Sequence, residues 1–139
     1  MRAFLIFVLW VAMGMSAQAQ SADDEGAVRS VIERQIEAFK ADDANRAFAM
    51  AAPSIKQLFQ SQDLFMDMVR RGYRPVYRPQ SYQFEDLQAE GGSLKQSLGI
   101  VDPDGVDWLA EYTLERQPDG QWLISGCVLI RRTTTTSRL

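Results

Sequence analysis

Apolar positions recur every three or four residues between residues 27 and 40. Val28, Ile32, Ile36 and Phe39 follow this spacing, and charged or polar residues fill most positions between them. Such a period is typical of a helix with one buried face. The pattern predicts that the first helix of the domain begins near residue 27.

Three shorter helical segments are predicted before the strands. Asp43 can cap a segment at residues 44–51, a further turn covers residues 54–59, and a last helix covers residues 63–72. The inward-facing positions predicted for these segments are Ala47, Phe48, Ala51, Ile55, Leu58, Phe59, Leu64, Phe65, Met68 and Val69.

The apolar spacing changes to period two after a connection that contains Pro75 and Pro79 and is predicted to be extended. Alternation of this kind is typical of strands with one buried face. Four strands are predicted, near residues 81–88, 93–101, 106–116 and 121–131.

Two tetrapeptides predict how these strands pair. Asp102-Pro103-Asp104-Gly105 and Gln117-Pro118-Asp119-Gly120 each have the composition of a type I turn with a glycine bulge. The second turn places Ala110 opposite Val128. Both registers collect apolar residues on one face, namely Leu94, Leu98, Ile100, Trp108, Ala110, Tyr112, Leu114, Trp122, Ile124, Val128 and Ile130.

Helices followed by an antiparallel sheet predict an α+β domain, with N-terminal helices packed on a curved four-stranded sheet. The opposite face mixes Leu109 and Leu129 with Glu111 and Cys127. A solvated face usually carries fewer leucines, whereas a fully buried face would exclude the glutamate. A homodimer through this Leu109/Glu111/Cys127/Leu129 face is therefore one hypothesis.

Residues 1–19 have the three parts of a secretory signal peptide. Arg2 gives a positive start, residues 3–14 are apolar, and Ala17-Gln18-Ala19 matches the cleavage pattern. The apolar run is shorter than the roughly 20 residues of a membrane-spanning helix. We predict cleavage before Gln20 and a periplasmic or secreted protein without a membrane segment. The remaining chain is predicted to comprise a flexible lead-in at 20–26, one domain at 27–131 and a disordered tail at 132–139.

The composition excludes several classes of site. The chain has no histidine and a single cysteine, Cys127, which rules out an intramolecular disulfide and a cysteine–histidine nucleophile. No metal cluster or glycine-rich phosphate loop is recognisable, and no cofactor is expected. The net charge of −3 argues against nucleic acid as a partner.

Two groups of residues are candidate ligand sites. Residues 70–79 concentrate arginine and tyrosine, which suits an anion-binding rim but also fits a structural connector after a helix end. In the predicted sheet Tyr112 lies between Gln96 and Gly126, so its ring either covers the glycine or forms the floor of a pocket. The candidate ligand-binding residues are Tyr73, Arg74, Tyr77, Arg78, Gln96 and Tyr112.

Three segments carry a resemblance to a known family: FKADDANRAFAMAAPSIKQLF, MVRRGYRPVYRP and WLAEYTLERQPDGQWLISGCVL. Over residues 27–130 the chain resembles a bacterial family of secreted domains of unknown function with a nuclear-transport-factor-2-like (SnoaL-like) fold. The resemblance implies a cone of sheet and helices that commonly houses a pocket and often dimerises. Enzymes of this wider fold use a pocket aspartate, often with histidine or tyrosine, and this chain has no histidine.

Three functions remain open from the sequence. The first is a non-catalytic binding or interaction module with a small apolar pocket for a small molecule. The second is a lyase- or isomerase-type enzyme that uses a tyrosine and a carboxylate. The third is an accessory subunit that binds another protein through its sheet face. The lack of a recognisable catalytic constellation favours the first.

Overall fold

The computed structural model describes the backbone of residues 14–133 and the side chains of residues 22–133. The start of the predicted signal peptide, residues 1–13, and most of the predicted tail, residues 134–139, lie outside the described residues. The helices are α1 (Gly14–Lys40), α2 (Ala44–Ala49), α3 (Pro53–Phe59), α4 (Gln62–Gly72) and α5 (Arg74–Tyr77). The strands are β1 (Ser81–Glu90), β2 (Ser93–Val101), β3 (Asp107–Arg116) and β4 (Trp122–Arg131).

The four strands form one antiparallel sheet in the order β1-β2-β3-β4, with the helices packed on one face. This confirms the predicted α+β fold. We call the face toward the helices the inner face and the opposite one the outer face. The inner face is apolar and forms a single core with α1, α2 and α4, to which Ile32, Ile36, Phe39, Ala47, Phe65, Leu98, Ala110, Leu114 and Ile124 contribute.

Both proline-containing turns have the predicted geometry. Gly105 and Gly120 adopt φ values of +80° and +89°, which only glycine adopts without strain. Asp102 donates its N–H to the Val106 carbonyl at 2.9 Å, which closes the first hairpin. The predicted register of β2 with β3 is confirmed along the whole pair, and Trp108, for example, lies opposite Ile100.

β4 contains one residue more than its predicted register allows. Leu114 pairs with Ile124, as the turn requires, but Thr113 pairs with Gly126, so Ser125 forms a bulge. The Ser125 hydroxyl donates to the Thr113 carbonyl at 3.2 Å. Because side chains alternate between faces, one extra residue moves every later side chain to the other face.

The bulge corrects the predicted faces of β4. Val128 and Ile130 were predicted on the inner face, but they point outward with 59% and 45% of their surface exposed. Cys127 and Leu129 were predicted on the outer face, but they pack against the core. The residues proposed for a homodimer face are therefore partly wrong, and the outer face carries Leu109, Glu111, Val128 and Ile130.

A second bulge lies in the opposite edge strand. Phe84 pairs with Leu98 and Leu87 pairs with Gln96, so two residues of β1, Glu85 and Asp86, occupy the position opposite one residue of β2. Bulges bend the strands that contain them and increase their twist. The two bulged edges curve the sheet around the helices.

The predicted lead-in at 20–26 is helical, because α1 continues through it. Two contacts hold this segment. Glu25 pairs with Arg29 one turn later at 2.6 Å, and the Trp122 indole donates to Asp24 Oδ1 at 3.3 Å. The second contact attaches this part of α1 to β4. Among the described residues, no helix is both long and apolar enough to cross a membrane.

Two further predictions in the helical region are wrong. The connection predicted to be extended contains α5, because proline is well accommodated in the first turn of a helix, where its missing N–H costs nothing. Leu58 and Leu64 are 74% and 58% exposed. The buried stripe of α4 is Phe65, Met66 and Val69, and Leu64 lies about 100° away from Phe65 around the helix.

Candidate ligand site at Gln96 and Tyr112

Gln96 is completely buried on the inner face of β2, and its orientation is fixed by the bulge of β1. Its amide nitrogen donates to the carbonyl oxygens of Ser97 at 2.9 Å, Glu85 at 3.1 Å and Asp86 at 3.4 Å. Because three acceptors surround the nitrogen, the amide cannot be flipped. Its oxygen, Oε1, is buried without a hydrogen-bond partner among the described residues.

Tyr112 lies directly opposite Gln96 in the sheet and is also buried. Its hydroxyl has no hydrogen-bond partner among the described residues. Burial, followed by the adjacent Cys127 thiol, raises the pKa of Tyr112 well above its usual value. The Cys127 thiol lies close enough to raise the pKa of Tyr112. Its position does not satisfy the geometry of a hydrogen bond with the Tyr112 hydroxyl. We call Gln96 and Tyr112 the polar pair.

Cys127, rather than the predicted Gly126, is the β4 neighbour of Tyr112. The Ser125 bulge brings the thiol to the inner face. Burial raises the pKa of Cys127 to about 12, so the thiol is protonated at neutral pH. Cys127 is partly buried, and a protonated thiol is a poor nucleophile and a poor metal ligand. Cys127 therefore contributes an apolar wall beside the polar pair.

Side chains of α1 contact aromatic side chains of β1 that pack against the core. The Arg29 guanidinium lies 5.1 Å from the centre of the Phe84 ring, and the Lys40 ammonium lies 5.9 Å from that of Tyr82. We call these four residues the α1–β1 seam. Burial, followed by the nearby Glu33 and Glu37 carboxylates of α1, raises the pKa of Tyr82. Tyr82 also contributes to the raised pKa of Tyr112, and its own side chain is only partly buried.

The arginine–tyrosine segment is held by an acidic residue that the sequence analysis did not connect with it. Asp42 lies just after α1, with φ +51°. It accepts hydrogen bonds from the Tyr77 hydroxyl and, at 2.8 Å, from Arg78, and it lies 3.6 Å from Arg70. The Tyr77 hydrogen bond, followed by the Arg78 and Arg70 charges, lowers the pKa of Asp42. This arrangement favours the interpretation as a structural connector.

The remaining residues of the predicted rim are placed elsewhere. Arg74 pairs with Asp104 in the first hairpin turn at 3.2 Å, and both side chains are exposed. Tyr73 packs partly against the core between α4 and α5. Of the six predicted ligand-binding residues, the structure brings together Gln96 and Tyr112 at one place and Tyr77 and Arg78 at another.

A shallow cleft of about 240 Å³ lies at the end of the sheet where β1 begins. An ion pair crosses this cleft from β1 to the end of β4. Arg132 Nη2 lies 2.7 and 2.8 Å from the two carboxylate oxygens of Glu85. The pair passes over Gly99, where a Cβ atom would collide with the Glu85 carboxylate. Arg132, the first residue of the predicted tail at 132–139, thus makes a specific contact with β1.

No group of acidic or cysteine side chains within the described residues could hold a metal ion. Sequence reasoning found the polar pair through its register but missed three of its neighbours: the Ser125 bulge, Cys127 and Tyr82. Only the bulge had a local signal, since a glycine within a strand pattern, here Gly126, often marks one. Nothing in the sequence connected Asp42 with Tyr77, because the two lie far apart along the chain.

Several solved structures share this fold. An NTF-2-like protein of unknown function from Silicibacter pomeroyi DSS-3 aligns with a TM-score of 0.57 and 15% identity, over 81% of this chain and 98% of that one. An NTF2-like protein of unknown function from Shewanella baltica OS155 aligns with a TM-score of 0.57 and 12% identity, over 81% and 97%. A structure from Catenulispora acidiphila aligns with a TM-score of 0.54 and 14% identity, over 81% and 94%.

These likenesses confirm the nuclear-transport-factor-2-like fold. At such low identity they carry no information on ligand or activity. No curated protein matches the chain. A family model described as "Domain of unknown function (DUF4864)" matches residues 21–137, which is most of the sequence. The chain belongs to this DUF4864 family, whose fold is NTF2-like.

Proposed function

We propose that this protein is an exported, non-catalytic binding module. Its ligand is a small, largely apolar molecule with one polar group that reaches the polar pair. The observation that carries the proposal is the pair itself, in which Gln96 Oε1 and the Tyr112 hydroxyl are both buried and find no hydrogen-bond partner within the part of the chain that the structure describes. A ligand hydroxyl fits this arrangement, because it can donate to Gln96 Oε1 and accept from Tyr112.

The energetic cost of the pair supports a functional role. A buried polar atom without a partner costs about 1–3 kcal/mol, and most buried polar atoms in natural proteins are paired. Phenylalanine at position 112 would keep the ring packing without this cost. Local features that lower the stability of the fold, and that no structural requirement explains, are expected at functional sites.

The α1–β1 seam is the proposed entrance. The backbone of α1 lies closer to β4 than to β1. Long side chains fill the space between α1 and β1. Arg29 and Lys40 can swing aside, since each is partly solvated and lies on an aromatic ring by a contact worth about 0.5–1 kcal/mol. The Arg29–Glu25 ion pair is solvent-exposed and adds about 0–1 kcal/mol at most. Opening of the seam would then give a ligand access to Tyr112 past Tyr82.

The protonation states at the site support binding rather than catalysis. The pKa values of both Tyr112 and Cys127 are raised, so both groups are neutral at physiological pH. A general base or nucleophile needs a pKa near or below the working pH. The polar pair can therefore form hydrogen bonds to a ligand, but it is poorly suited to removing a proton from one.

The binding proposal is tested by extracting small molecules from protein that was purified from its native compartment. Mass spectrometry of the wild type is expected to give a compound that is depleted at least tenfold in Tyr112→Phe. Tyr73→Phe is the matched control, since Tyr73 lies outside the site, and it should retain the compound. Equal retention by all three proteins, or no bound compound in the wild type, would contradict the proposal.

Export is tested separately on the full-length chain. N-terminal sequencing of the protein from the periplasmic or culture fraction should begin at Gln20. An alanine-to-aspartate change at Ala19 should block this cleavage, because signal peptidase requires a small residue there. An intact Met1 in a cytoplasmic wild-type protein would refute export and leave the binding experiment valid.

A further inference from the structure

β4 has an open edge along its second half. Cys127, Leu129 and Arg131 occupy positions whose backbone N–H and C=O groups point away from β3, as the alternation of antiparallel pairing requires. At the first half of the strand this edge is closed. Ile124 donates to the Met50 carbonyl at 2.9 Å and accepts from the Ala52 N–H at 2.7 Å. Within residues 14–133, the α2–α3 connection therefore covers the edge near residue 124 and leaves its second half open.

The open half of this edge is apolar. Val128 and Ile130 are 59% and 45% exposed on its outer face, and no charged side chain precedes Arg131 along residues 126–130. Natural edge strands are usually protected by charges, proline or a covering segment. In the described residues, the second half of β4 has none of these until Arg131.

We propose that β4 pairs antiparallel with β4 of a second copy, with Leu129 at the two-fold axis, to form a continuous eight-stranded sheet. This inference is independent of the proposed ligand. In this register Val128 lies opposite Ile130 of the second copy, and this apolar pair occurs twice. The outward-pointing groups of residues 127, 129 and 131 form about six hydrogen bonds between the copies. Arg131 lies opposite Cys127, so no like charges meet.

Neighbouring registers are less favourable. A shift in one direction places Arg131 opposite Ser125 in the bulge and Arg132 opposite Ile124, whose outward groups are already bonded to residues 50 and 52. A shift in the other direction places Val128 opposite Arg132, and a further shift places Arg131 opposite itself. Self-complementarity thus selects one register, as a two-fold interface requires.

Cysteine cross-linking tests the register. Val128→Cys and Ile130→Cys proteins are prepared separately, then oxidised alone and as a mixture. Directly opposed residues of a non-hydrogen-bonded pair are about 4.5 Å apart at Cα, within disulfide range, whereas diagonal positions are too distant. The mixture should give disulfide-linked dimers, and each variant alone should not. Failure of the mixture to cross-link, or equal cross-linking of a single variant, would overturn the proposal. Wild-type protein controls for Cys127.

A proline variant of Arg131 and a matched alanine variant test the backbone hydrogen bonds. Arg131→Pro removes an N–H that points out of the sheet and spares the pairing with β3, whereas Arg131→Ala keeps that N–H. In sedimentation experiments, Arg131→Pro should weaken dimerisation at least tenfold and Arg131→Ala should not. Thr113→Lys, in the middle of the outer face, should leave the dimer intact. Loss of the dimer in Thr113→Lys but not in Arg131→Pro would show face-to-face packing and refute edge pairing.

Discussion

Replacement of Tyr112 by phenylalanine is expected to stabilise the free protein. The change removes one oxygen that is buried without a hydrogen-bond partner and retains the aromatic ring in the core. Relief of an unsatisfied hydroxyl is worth about 1–3 kcal/mol, and the small void left by one atom offsets part of it. We expect a net gain of about 1 kcal/mol, or a rise in Tm of about 4 °C for a domain of this size.

The assay is denaturant unfolding and calorimetry of ligand-free protein, with the slope of the denaturant curve as a check that the unfolded state is unchanged. Tyr77→Phe is a matched control of opposite sign. The Tyr77 hydroxyl donates to Asp42 and accepts from Arg70 at 3.4 Å, so its removal should lower the Tm. Both variants remove a single tyrosine hydroxyl. Their comparison therefore shows the effect of removing a hydroxyl with hydrogen-bond partners against that of removing one without.

A loss of stability of 1 kcal/mol or more in Tyr112→Phe would refute this reasoning. Such a loss would mean that the hydroxyl has a partner in the free protein, for example an internal water bonded to Gln96. The polar pair would then be satisfied without a ligand, and the observation that carries the proposed function would no longer hold.

Three further predictions concern neighbouring groups. Gln96→Leu should lower the free energy of unfolding by about 1 kcal/mol in denaturant titrations, because the carbonyls of the β1 bulge lose their shared donor and removal of the unpartnered Oε1 offsets only part of this loss; an unchanged midpoint would contradict this. Cys127 should resist iodoacetamide at pH 8 in the native protein and react after unfolding, since its pKa is about 12; rapid labelling of the native protein would show an accessible thiolate. The Asp42 carboxylate has a lowered pKa in the folded state, so its contribution to stability is present above about pH 4 and is lost as the pH falls through the folded-state pKa. Asp42→Asn should therefore reduce the Tm at pH 6 more than at pH 2.5, and equal reductions would rule out this linkage.

Local chemistry explains why much of the sheet could be predicted from the sequence. The turn at residues 102–105 sets the register of β2 with β3, and no later irregularity disturbs it. The turn at residues 117–120 sets the register of β3 with β4 equally well, but only as far as Ile124. Beyond that point Ser125 forms a bulge, and hydrophobicity could not reveal it. Leu129 and Ile130, like Cys127 and Val128, fit either face.

The candidate site was less predictable because its geometry depends on contacts distant in sequence. The Gln96 amide is oriented by the β1 bulge, and Arg78 is neutralised by Asp42, which is 36 residues away. Asp67 lies three residues before Arg70 and pairs with it at 3.3 Å, but the sequence showed no acidic partner for Arg74 and Arg78 and therefore favoured neither role strongly. Tertiary structure supplies these partners, Asp104 for Arg74 and Asp42 for Arg78. Among the described residues it leaves Gln96 Oε1 and the Tyr112 hydroxyl buried without a hydrogen-bond partner, and Arg29 Nε is a third such atom.

The bulge at Ser125 also determines which of the following side chains of β4 point to the inner face and which to the outer face. Without that single residue, Val128 and Ile130 would be buried, and the strand would offer its neighbours Cys127 and Leu129 to the outside. One inserted residue therefore decides both which wall surrounds Tyr112 and which side chains reach a second molecule. The interior of this domain and its outer contacts are thus not free to change independently.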